Sequence, residues 1–135
     1  MIHVIMGLKG SGKTKKMIEG INAAVASANG DVVCIEFGKK LTYDVTHKVR
    51  LVDSQEYGIN SPEMLQGLLC GLHAGNFDIT NIFVDNLAKT VGNDTVANDA
   101  LIDWMAKFAA DNGIELTVTI SGDPASASDT MKKYL

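Results

Sequence analysis

Arginine is almost missing from this chain. Arg50 is the only one, and the other 11 of its 12 cations are lysine. A site built on several planar, bidentate guanidinium clamps is therefore excluded within one chain. Positive charge is also in deficit, with 12 basic against 16 acidic residues and a net charge of −4. Nucleic-acid binding is driven by basic patches, so this balance argues against it. No apolar run approaches the roughly 20 residues that span a bilayer. The start, MIHVIMGLKG, lacks the basic segment of a signal peptide, so we expect no export and a cytoplasmic protein. Cysteine is scarce as well. Cys34 and Cys70 sit in the apolar segments VVCIE and LLCGL, which predicts two buried free thiols rather than a disulfide. His3, His47 and His73 are scattered without metal-ligand spacing. Repeats, low-complexity tracts and charge blocks are absent.

What remains is an ordinary globular composition. The 135 residues are 46% apolar and 21% charged, and they suit one domain over 1–135. Strand-like and helix-like segments alternate, the pattern of an α/β fold with a mainly parallel sheet. The five expected strands are 2–6, 32–36, 49–53, 79–85 and 114–121. Between them, Met17, Ile18, Ile21 and Val25 mark one face of a helix that starts near Lys13 and ends at Asn29-Gly30. Ser61-Pro62-Glu63 reads as a capped helix start, followed by an apolar face of Met64, Leu65, Leu68, Leu69 and Leu72. A third helix spans 95–111. Residues 37–47 read as a loop or hairpin, and 123–135 as a tail with a short helix.

The strongest local signal lies between the first strand and the first helix. Gly7-Leu8-Lys9-Gly10-Ser11-Gly12-Lys13-Thr14 matches G-x-x-x-x-G-K-[ST]. Glycines let backbone curl closely around an anion, and successive N–H groups then converge on it at the positive end of a helix. On these residues the chain resembles the P-loop NTPase superfamily, and most closely a minimal RecA-like ATPase core. The resemblance implies a three-layer α/β/α sandwich with a five-stranded sheet. It implies ATP and Mg²⁺ as cofactors, with residues 7–14 on the phosphates. Lys13 would reach the β- and γ-phosphates, and the Thr14 hydroxyl would hold the ion.

Further along, Asn81-Ile82-Phe83-Val84-Asp85 is similar to a Walker B strand, whose Asp85 would orient Mg²⁺. The next residue is Asn86, where many such enzymes carry a water-activating glutamate, and an amide cannot take up a proton as a carboxylate does. In RecA-like proteins the base follows the strand after the P-loop helix, which here is Glu36; the alternative is a solvated strand-end acid. Ser121 occupies the place of a polar γ-phosphate sensor, or is a turn serine before Gly122-Asp123-Pro124. Lys39-Lys40 is a solvated loop or a charge that swings over the phosphates.

Three functions fit this reading. The first is a Mg-dependent ATPase with weak turnover. The second is a nucleotide-gated interaction protein. The third is a small-molecule kinase, which the single arginine and missing zinc lobe disfavour. A GTPase lacks its N-K-x-D motif here. RecA-like order would also place 114–120 between the first and fourth strands and leave residues 2–6 as an exposed apolar edge. Either the tail covers it, through Met131, Tyr134 and Leu135, or a second copy does in a homo-oligomer.

Overall fold

The computed structural model of the chain describes residues 1–41 and 44–135. Short β-branched and aliphatic runs form five strands: β1 (Ile2–Gly7), β2 (Asp31–Glu36), β3 (Val49–Asp53), β4 (Ile79–Val84) and β5 (Glu115–Ser121). They make one sheet in the order β1-β5-β4-β2-β3, and every neighbouring pair is parallel. The sheet is thus wholly parallel. Such sheets need cover on both faces, and the helices supply it.

Helix α1 (Lys13–Ser27) packs on one face. Its Met17, Ile21 and Ala24 meet Val32, Cys34, Val49 and Phe83. Helices α2 (Pro62–Gly75), α3 (Leu87–Val91), α4 (Thr95–Asn112) and α5 (Asp129–Lys132) belong to the other face. There Leu65, Leu69, Leu101, Ile102 and Met105 pack on Val33, Ile35, Ile82, Val84 and Val118. Ser61 caps α2 by accepting the Met64 N–H at 3.2 Å. Of the expected α2 face, Met64 turns outward and is exposed. Cys70 is exposed too, contrary to the expected pair of buried thiols, because the buried stripe runs through Leu65 and Leu69 and the next residue lies about 100° away around the helix. Cys34 is buried.

One open alternative is decided by the structure, and two features differ from expectation. Between Glu36 and Val49 the described residues form no strand, which leaves loop and not hairpin for them; Thr42 and Tyr43 lie outside the described residues. Helix α3 was not anticipated, because five residues carry too little periodicity to register. Gly30 does not cap α1, whose cap is Ala28. It is required instead by close approach, since a Cβ there would sit 2.1 Å from the Asp78 carbonyl oxygen.

The edge of β1 is met by the tail. The Val4 N–H donates to the Tyr134 carbonyl at 2.9 Å, and Met131 is buried in the core. The Tyr134 hydroxyl and Lys133 both reach Asp103 of α4, at 3.0 and 3.3 Å. Burial and the Asp103 carboxylate push the Tyr134 hydroxyl pKa up. Leu135, expected to cover the edge, is exposed instead. No helix among the described residues is long and apolar enough to cross a membrane.

Candidate functional site

An all-parallel sheet delivers every strand's carboxyl end to one side of the molecule. The chain leaves β1 for α1 on one face and leaves β4 for α3 and α4 on the other. The crevice between β1 and β4, over the end of β5, is therefore the switch point where ligands of such sheets bind. Register fixes who meets there. Gly7 lies opposite Ser121, and Val84 lies opposite both Val118 and Ile35, so Asp85 continues level with Thr119 and Glu36.

The loop from Gly7 to Thr14 is wound tightly. Gly10 and Gly12 have φ of +84° and +88°, a region that side chains disfavour. The Ser11 N–H donates to the Leu8 carbonyl at 3.0 Å, and a Cβ on Gly7 would sit 2.3 Å from Ser11 Oγ. Helix α1 begins at Lys13 with no side-chain cap and no acid in its first turn. Its first N–H groups and positive dipole end are thus left for an anion. Lys13 Nζ donates to the Leu8 carbonyl at 3.3 Å across the loop. Thr14 is exposed on the first turn. A cleft of about 510 Å³ opens beside the loop, lined by Leu8, Lys13, Lys15, Lys16, Glu19 and Pro124. A larger cleft of about 640 Å³ lies at the amino ends of β2 and β3, around Asp31, His47 and Arg50, and contains none of the expected site residues. Size does not decide between them, and Lys48 and Arg50 give the second cleft cations too; the uncapped helix start at Lys13 sets the first apart.

Asp85 is held from two sides. Its backbone N–H donates to the Ile35 carbonyl at 2.9 Å, and its Oδ1 accepts from the Thr119 hydroxyl at 2.7 Å. Thr119 Oγ1 in turn accepts the Asn86 N–H at 2.7 Å. Glu115, Thr117 and Thr119 alternate with apolar residues along β5, a pattern that predicts a less buried face. Thr119 is 1% exposed, and nothing in the segment's pattern pointed to a partner 34 residues away. Ser121 is exposed at the end of β5, level with Gly7.

Glu36 is not a solvated strand-end acid. It is 3% exposed, and its Oε1 accepts the backbone N–H of Lys40 at 2.5 Å and of Leu41 at 3.1 Å. The carboxylate therefore anchors the loop that carries Lys39 and Lys40, both of which are exposed. Burial pushes the Cys34 thiol pKa up, and the Glu36 and Asp85 carboxylates add to the shift. Both acids consequently act on one buried sulfur on the α1 face.

Oxygen donors suit Mg²⁺, which is usually bound through one or two carboxylates plus phosphate oxygens and water. Asp85 and Thr14 are donors of that kind. Among the described residues no group of three or more His, Cys, Asp or Glu side chains is placed to hold a metal alone. No protein-family model matches the chain, and no curated protein matches it. The α/β fold and the geometry at its sheet end are what bear on function.

Proposed function

We propose that the chain binds ATP with Mg²⁺ through residues 7–14 and hydrolyses it slowly, as a small RecA-like P-loop protein. One observation carries the reading. The β1–α1 loop has left-handed glycines at 10 and 12, runs into an uncapped helix start, and brings Lys13 across itself. That arrangement is complementary to a polyphosphate. Lys13 would bind the terminal phosphates as a point charge, and the backbone N–H groups of the loop would orient them. Asp85 and Thr14 would hold Mg²⁺, which supplies charge neutralisation on the phosphate oxygens. Ser121, level with Gly7, would contact the terminal phosphate.

Glu36 is the acid nearest to the role of base, because it lies level with Asp85 on the α1 face. Its burial under the 37–41 loop keeps water away until that loop moves, which favours slow turnover. The same feature supports the second reading, a nucleotide-gated interaction protein in which the 37–41 loop is the moving part. The kinase reading is the weakest. Arg50 lies on β3, the edge strand farthest from β1, and cannot serve the loop of its own chain.

The test is Mg-ATP binding by calorimetric titration of the wild type and of Lys13→Ala. Lys13→Ala removes the charge aimed at the phosphates, and affinity should fall tenfold or more. Equal affinity in the two proteins would remove residues 7–14 as the site.

A further inference from the structure

A threonine buried to 1% exposure is an expensive choice in a strand whose neighbours Val118 and Ile120 are aliphatic. Valine has the same shape, suits a strand equally and carries no hydroxyl to desolvate. The hydroxyl of Thr119 is used twice, with both partners at 2.7 Å: it donates to Asp85 Oδ1 and accepts from the Asn86 N–H. Asn86 has φ 54° and ψ 68°, the only non-glycine residue with positive φ among the described residues. The turn after β4 therefore holds a conformation that L-residues visit rarely. The Thr119 hydroxyl therefore holds the backbone of that turn and the carboxylate of the adjacent acid.

From this geometry we propose that Thr119 is the positioning residue of the ion-binding acid. Its hydroxyl commits Oδ1 of Asp85 to itself and leaves Oδ2 as the oxygen that serves Mg²⁺ or a water bound to it. The strand order makes this work, because β5 lies between β1 and β4 and carries Thr119 level with Asp85. The proposal rests on the nucleotide reading, but it is a separate claim about how Asp85 is aimed.

The experiment uses the full chain as wild type, Thr119→Val, Thr119→Ser and Asp85→Asn. ATP affinity is measured without Mg²⁺ and across a Mg²⁺ titration, and hydrogen exchange is followed at the Asn86 amide. Thr119→Val should lose tenfold or more of the Mg²⁺-dependent gain in affinity and approach Asp85→Asn. Its Mg²⁺-free affinity, which depends on the 7–14 loop, should stay within about twofold of wild type. Thr119→Ser, which keeps the hydroxyl, should recover most of the gain. The Asn86 amide should exchange tenfold or more faster in Thr119→Val than in Thr119→Ser.

A wild-type Mg²⁺ gain in Thr119→Val would overturn the proposal while leaving nucleotide binding intact. So would equal behaviour of the valine and serine variants, since shape and not the hydroxyl would then matter. If the wild type binds no ATP, the nucleotide reading falls and this role falls with it. Should Thr119→Val not fold, Thr119→Cys takes its place, being similar in size with only a weak S–H donor. A wild-type Mg²⁺ gain in that variant would equally refute the role.

Discussion

Gly12→Ala separates the conformation of the 7–14 loop from its contacts. A Cβ on Gly12 meets nothing within 4 Å, so the substitution creates no clash. Its whole cost lies in the backbone, because φ is +88° and an L-residue held in a left-handed conformation loses about 1–2 kcal/mol. Gly113 is a matched control. It caps α4 with φ +63° and ψ 35°, and a Cβ there also meets nothing within 4 Å. Gly12→Ala and Gly113→Ala should therefore lose similar stability, and for a domain this size each kcal/mol lowers Tm by roughly 3–6 °C. Their effects on ligand should diverge. Alanine biases residue 12 away from the turn in which its carbonyl accepts the Lys16 N–H at 3.0 Å. Gly12→Ala should lose tenfold or more of its Mg-ATP affinity, and Gly113→Ala should lose none. Thermal melts and calorimetric titrations of both variants check this. If both keep wild-type affinity, the loop is not the phosphate site. If both lose it equally, the loss reports stability and the reasoning about loop geometry fails.

Three further outcomes are expected. Glu36→Gln should lower single-turnover ATP hydrolysis by about 10²-fold if Glu36 is the base; hydrolysis at the wild-type rate would assign the carboxylate solely to anchoring Lys40 and Leu41. In the native protein a neutral-pH thiol reagent should label one cysteine, Cys70, and a second only in denaturant, because burial and two carboxylates disfavour the Cys34 thiolate; two fast-reacting native thiols would contradict that burial. A chain ending at Asp123 loses the Tyr134 carbonyl that meets Val4, and light scattering should show self-association absent from the full chain; a soluble monomer would show that the β1 edge needs no cover.

The pH dependence of the tail has a definite sign. The Tyr134 hydroxyl is raised above its ordinary value of about 10, first by burial and then by Asp103. A folded-state pKa above the unfolded one means the contribution is complete below that ordinary value. It is lost as pH rises past it towards the folded-state value. Alkaline pH should therefore loosen the tail, which keeps the full contribution at neutral pH.

Much of this protein is written in short stretches of sequence. Each β-branched run became a strand, Ser61-Pro62 started α2 as a cap and first-turn proline do, and the glycines at 10 and 12 took the left-handed angles their spacing required. Those outcomes depend on a residue and its near neighbours, and local sterics and hydrogen bonds decide them. The carboxyl-end placement of Gly7, Glu36, Asp85 and Ser121 was legible too, because each ends or follows a strand and parallel strands share a side. Tertiary structure alone decided who touches whom there. Thr119 reaches Asp85 because β5 inserts between β1 and β4. Glu36 turns from a strand-end acid into the anchor of its own following loop. Gly30 owes its place to Asp78 and not to the helix it follows. Tyr134 meets Val4 because α5 packs on α4 and returns the tail to the β1 edge. Except for Glu36, whose loop partners lie four and five residues on, these pairings join residues far apart in the chain, and their energies exist only once the crossovers have set the order of the strands.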